Sequence, residues 1–143
     1  MSRLAPDTRD DYAFFITLPP RWNDNDVYGH INNAVYYEYF DTVVNRWLIE
    51  NGLLTIGESE TIGLVVETGC AYFAPLAFPE DVTAGLRVTK IGGSSVRYEI
   101  GLFGKDSSAA ARGHFVHVYV DEKTRRPTPI SDMMRKKLGE MMR

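Results

Sequence analysis

Cysteine is almost missing from this chain: Cys70 is the single one among 143 residues. One thiol cannot form an internal bridge, so the fold does not rest on oxidation, and a cytoplasmic setting is expected. There is no CxxC pair to hold a metal. No apolar run approaches the roughly 20 residues that span a bilayer. The opening MSRLAPDTRDDY lacks an apolar stretch of signal-peptide length. Neither export nor a membrane anchor is expected. A basic excess is also missing, since 16 basic residues against 19 acidic ones leave a net charge of -3. Broad nucleic-acid binding needs the opposite balance. No Gly-x-Ser-x-Gly elbow and no phosphate-binding glycine loop occur, which argues against an α/β-hydrolase and a P-loop enzyme. Repeats, linkers and low-complexity stretches are absent.

What is present suits one domain over residues 1–143, with 44% hydrophobic residues and a length near the usual domain size. The first ten residues are polar and read as loose. Tyr12, Phe14, Ile16 and Leu18 then alternate with Ala13, Phe15 and Thr17, the period of a strand. Pro19 and Pro20 end it. After a loop, Tyr36, Phe40, Val43 and Trp47 recur at helical spacing. Asn32 suits the N-cap and Asn51-Gly52 the stop. Such a helix spans about 18 residues, or roughly 27 Å.

Strand patterns follow over 62–73, 82–88, 96–102 and 112–120, separated by turn residues. Neighbouring strands at this spacing are expected to pair as antiparallel hairpins. Ser131 to Met142 reads as a short terminal helix capped by Ser131. The expected class is α+β: a five-stranded antiparallel sheet wrapped around one long helix. The helix looks too apolar to leave one side wet, so its remaining faces are expected to meet a second subunit.

Residues 21–33 show neither period. They are dense in groups that are costly to order: Asp24, Asn25, Asp26, His30, Asn32 and Asn33. Loops held between a strand and a buried helix are common seats of chemistry. The helix start at Asn32-Asn33 offers free amides and a positive dipole end, which favour developing negative charge. Upstream, Asp26 supplies a carboxylate that can attack an acyl carbon or activate a water. Gly29 permits a tight turn between them.

Spacing alone does not separate Asp26 from Asp24, and both residue types also form turns and caps. His30 reads first as a structural hydrogen-bonding residue. The run from Asp24 to Gly29 begins like a calcium loop, but Tyr28 and Val35 occupy positions where ligands belong. His114 and His117, three apart on a strand, should point to opposite faces, which argues against a shared metal.

The run Arg21-Trp22-x-Asp24-x-Asp26-x-x-Gly29-His30-Ile31-Asn32-Asn33, followed by Tyr36, closely resembles the signature of the 4-hydroxybenzoyl-CoA thioesterase family, in its broad acyl-CoA branch. Tyr72-x-x-Pro75-Leu76 and Gly93-Ser94-Ser95-Val96 are similar to further family segments. The resemblance covers about residues 13 to 130. It implies a hotdog fold, dimers or dimers of dimers with sites between subunits, and an acyl-CoA substrate without any further cofactor. It also implies that Asp26 is the catalytic carboxylate and that the backbone amide near Asn33 is the oxyanion donor. Asp24, Tyr28, Gly29, His30, Asn32 and Tyr36 then support or line the site. Glu38 corresponds loosely to a glutamate used by a related branch, but it lies off the apolar stripe and reads as peripheral or as a subunit contact. Glu67, mid-strand in an apolar run, should face the cavity or pair with an arginine. Arg87, Lys90, Arg97 and Arg112 are cations available for CoA phosphates. Two alternatives stay open: an enoyl-CoA hydratase pairing Asp26 with His30, and a non-catalytic acyl-CoA-binding module.

Overall fold

The computed structural model describes residues 5–143. Its strands are β1 (Phe14–Leu18), β2 (Thr61–Tyr72), β3 (Val82–Ile91), β4 (Ser95–Phe103) and β5 (Ala111–Asp121). Helix α1 (Val35–Glu50) follows β1, and α2 (Asp132–Gly139) follows β5. The five strands form one antiparallel sheet in the order β1-β3-β4-β5-β2, with α1 packed against it. This is the hotdog fold.

Alternation along the strands builds the core. Val82, Ala84, Leu86 and Val88 of β3 point inward, as do Val96, Tyr98, Ile100 and Leu102 of β4. They meet a wide stripe on α1: Tyr36, Tyr39, Phe40, Val43, Val44, Trp47 and Leu48. Phe40 lies directly on Gly113 of β5, where any Cβ would overlap its ring. The opposite side of α1, with Glu38, Asp41, Thr42, Ile49 and Glu50, is exposed. In the single chain, this side, expected to meet a second subunit, is therefore open to solvent. The polar residues of α1 gather in one stripe, and Arg46 and Glu50 pair there at 2.9 Å. No helix among the described residues is long and apolar enough to cross a membrane.

Three sequence expectations shift. The hairpin rule holds for β3–β4 and β4–β5 but fails for β2 and β3, which do not pair. The connection between them instead runs past the loop before α1, where Leu76 O accepts from Ile31 N at 2.7 Å and Asn25 Oδ1 accepts from Phe78 N at 3.0 Å. Strand β2 bonds only to β5, so its other edge has no strand partner among the described residues.

The polar N-terminus is held in place from Asp7 onward. Asp7 accepts from the Tyr12 hydroxyl at 2.7 Å and from Arg112 at 3.2 Å, and Arg87 stacks 4.7 Å over the Tyr12 ring. Residues 1–4 of that opening stretch lie outside the described residues.

The third shift concerns the start of α1, which lies at Val35 rather than directly after Asn32. Asn32 accepts at both its side chain and its carbonyl just ahead of the helix, from Ala34 N and Val35 N, each at 2.9 Å. An Asx turn thus feeds the helix where a simple cap was expected. The stop holds, with Gly52 at φ +70° after α1. The Ser131 cap also holds, its hydroxyl accepting from Met134 N at 3.2 Å.

Candidate active site

The loop between β1 and α1 is anchored by Asp24. This carboxylate is buried, and it accepts from Arg21 N (2.8 Å), from the Arg21 guanidinium (3.1 and 2.9 Å) and from the Tyr39 hydroxyl (2.9 Å). Burial pushes its pKa up, but the Arg21 amide, the guanidinium and the Tyr39 hydroxyl outweigh burial and hold it below the ordinary carboxylate value. Its stabilisation is therefore present above the unfolded pKa and lost as pH falls through the folded one. Asp24→Asn cannot satisfy all four donors and should cost about 1–3 kcal/mol at neutral pH. Urea unfolding should show that deficit at pH 7 and show it shrinking below about pH 3.9. An Asn variant as stable as wild type at pH 7 would remove this anchor role.

Beyond Asp24 the chain closes a small hairpin. Asn25 bridges to Ile31, Asp26 N donates to His30 O at 2.9 Å, and Gly29 N donates to Asp26 O at 3.1 Å. The turn requires φ +82° at residue 29, a conformation costly for any residue with a Cβ. Asp26 is half-buried at the hairpin base, and its Oδ1 accepts from Tyr28 N at 2.8 Å. Its other carboxylate oxygen has no bond to a described residue.

A cleft of about 590 Å³ opens beside this hairpin, lined by Asp26, Tyr28, His30, Asn32, Asn33 and Tyr36, with Tyr72 and the turn 73–75 across from them. The Asn32–Asn33 peptide is fixed by the Val35 N–H on its carbonyl. That leaves the Asn33 N–H with no acceptor among the described residues. A carboxylate and an unengaged amide at a helix start thus share one concave surface. A larger cleft of about 690 Å³ lies under residues 54–62 and 121–123. It gathers Glu58, Glu60, Asp121 and Glu122 beside Lys123, with no free helix-start amide among them, so the smaller cleft is the better chemical candidate.

Not every expected residue joins this cleft. Asp24 and Gly29 shape the loop from behind. Tyr28 sits exposed on the rim, while Tyr36 is buried at the floor. Trp22 is exposed too and packs edge-to-face on Phe78, away from the lining. Glu67 lies on the outer face of the sheet, beside a β-bulge, 3.2 Å from His114 Nε2 and 3.7 Å from Arg97. Of its two expected placements, the arginine pairing is the one seen. Arg87 and Arg112 bind Asp7, and Arg87 and Arg97 bind Glu99, all on that same outer face. Glu38 is peripheral, 3.9 Å from the Arg21 guanidinium. His114 and His117 point to opposite faces, as their spacing requires, and His117 is buried in the core. Tyr72 was not singled out from the sequence as a site residue. Its only signal was its place at the head of the Tyr72-x-x-Pro75-Leu76 segment.

The chain thus has the hotdog fold, with Asp26 and the residues ahead of α1 lining one cleft. Residues 20–138 match the model of the thioesterase-like superfamily, and the chain belongs to that superfamily. Among solved structures, the PA5185 protein of Pseudomonas aeruginosa is 47% identical over 96% of each chain, with a TM-score of 0.92. A thioesterase of Thermus thermophilus, crystallised with coenzyme A and zinc, is 25% identical over 92% of this chain and 96% of its own, with a TM-score of 0.78. Slr0204 of Synechocystis, a 1,4-dihydroxy-2-naphthoyl-CoA thioesterase, is 15% identical over 88% of this chain and 95% of its own, at a TM-score of 0.79. That last likeness is one of fold alone. No curated protein sequence matches the chain significantly.

Proposed function

We propose that the chain hydrolyses acyl-CoA thioesters to a free carboxylic acid and CoA. The observation that carries this reading is the opening of Asp26 and the unengaged Asn33 amide into one cleft. A thioester carbonyl lying there directs its oxygen at the Asn33 N–H and the start of α1. Negative charge gathers on that oxygen as the carbon is attacked, and the amide and helix dipole stabilise it. Asp26 either attacks the carbon itself, giving a mixed anhydride that water then opens, or takes a proton from the attacking water. CoA departs as its thiolate and is protonated by solvent.

A second copy of the chain fits this reading. The free edge of β2 presents unpaired backbone groups beside the exposed side chains of Leu64, Val65 and Val66. Edges of that kind pair readily with another strand. Pairing two such edges places the cleft, which borders Tyr72 at the end of β2, near the junction of the copies. The Thermus relative that binds coenzyme A supports the choice of thioester carrier.

A panel of acyl-CoA substrates varied in chain length and ring content, assayed for released thiol, tests the reading. Thiol release from at least one class is expected. Hydration of an enoyl-CoA without thiol release would favour the hydratase instead, and binding with neither reaction would favour the non-catalytic module.

A further inference from the structure

The structure assigns to Tyr72 the role of a positioning residue that holds the oxyanion-binding amide in place. This inference rests on the thioesterase reading of the cleft. The Tyr72 hydroxyl donates to the Asn33 carbonyl oxygen at 3.0 Å. On the other side of the same peptide, Ala34 N donates to Asn32 Oδ1 at 2.9 Å. The Asn33–Ala34 peptide is therefore held at both its polar atoms. The preceding Asn32–Asn33 peptide is held at its carbonyl by Val35 N on Asn32 O, and the Ile31–Asn32 peptide before it by Asn32 N on Asp24 O, each at 2.9 Å. Asn33 lies between two fixed peptide planes and lines the cleft, and its own N–H has no acceptor among the described residues.

Tyr72 is the one member of this set that comes from the sheet. It is the last residue of β2, in register with Ala111 of β5, and its ring packs against buried Tyr36 with centroids 5.1 Å apart. The phenol thus reaches the helix start from a rigid strand, across a sequence separation of 39 residues. The bond does two things. It restrains rotation of the Asn33 carbonyl, which would tilt the adjacent N–H. It also engages a carbonyl oxygen whose partial negative charge would otherwise stand beside the developing oxyanion. Misplacement of a catalytic group by about 1 Å can cost on the order of 100-fold, and loss of an oxyanion donor about 10²–10³-fold. Loosening the holder of such a donor should cost less than losing the donor, about ten- to a hundredfold.

Tyr72→Phe removes the hydroxyl and keeps the ring on Tyr36. Its expected signature is a kcat lowered by roughly ten- to a hundredfold with little change in KM, because the donor acts on charge that exists only in the transition state. A trifluoromethyl-ketone analogue of acyl-CoA, which forms a tetrahedral oxyanion mimic, should lose affinity by a similar factor. CoA itself should bind as before, which also shows that the variant is folded. Wild-type kcat in Tyr72→Phe overturns the assignment. So does an equal loss of analogue and CoA affinity, which a purely structural residue would produce. Asp26→Asn, measured alongside, separates the two levels. Turnover surviving in Asp26→Asn counts against the thioesterase site as a whole, whereas an inactive Asp26→Asn beside a fully active Tyr72→Phe counts only against Tyr72.

Discussion

Asp26→Asn should leave a folded protein that binds CoA and scarcely turns over acyl-CoA. The substitution is close to neutral for structure. Among the described residues, the one hydrogen bond the Asp26 side chain makes is Oδ1 accepting from Tyr28 N at 2.8 Å, and an asparagine oxygen can accept that bond equally well. What disappears is the charge. A lost general base lowers the rate by on the order of 10²–10⁴-fold, and a lost nucleophile removes the covalent route altogether. Thiol release, thermal unfolding and CoA affinity measured together check this. Asp24→Asn should give the reverse pattern, a loss of stability first. An Asp26→Asn enzyme with wild-type turnover would sink the assignment of this carboxylate.

A single turnover in oxygen-18 water refines the role. Suppose Asp26 attacks and water then opens the anhydride at the Asp26 carbonyl. One labelled oxygen stays in the Asp26 carboxyl, and the first molecule of acid leaves unlabelled. In the general-base route the labelled oxygen goes to the acid, and the enzyme remains unlabelled.

The distinction between the two aspartates shows how far the sequence could be read. Alternation and helical spacing are local, so the order of one strand, one long helix, four strands and a short helix was legible. So was the amphipathic stripe on α1. The placement of β2 at the far edge was not, because strand order depends on which inward faces cover α1 best. That is a property of the whole core. At the site, the density of Asp, Asn, His and Gly marked the loop but could not rank its members. Their division of labour comes from contacts distant in sequence. Tyr39 reaches back from α1 to bury Asp24, leaving Asp26 as the carboxylate at the cleft. Tyr72 arrives from a strand beyond the helix. Glu67 looked anomalous in an apolar run because a bulge in β2 and a polar outer sheet face cannot be seen in a period-2 pattern.

The buried His117 should set the acid limit of stability. It stands between Phe115 and Tyr119 on β5 and against Tyr98, and neither ring nitrogen has a hydrogen-bond partner among the described residues. Burial holds its pKa down at about 4, against an ordinary value of 6.5. The imidazole is therefore neutral in the folded chain and would be protonated in the unfolded chain below pH 6.5. Above that value it adds no pH dependence. Between 6.5 and about 4 the unfolded state binds the extra proton, so stability falls as pH falls. A gap of that size corresponds to about 3 kcal/mol, a large share of the 5–15 kcal/mol typical of a domain. Asp24 acts lower, below about pH 3.9, so the two windows separate. Leucine is close to histidine in volume and has no polar atoms, so His117→Leu should flatten the limb between pH 6.5 and 4. It should also gain stability at neutral pH, since an unsatisfied buried polar group costs about 1–3 kcal/mol. Urea unfolding of both proteins at half-unit steps from pH 7 to 4 checks this. Parallel curves would mean that His117 finds a partner when charged and that the acid limb has another source.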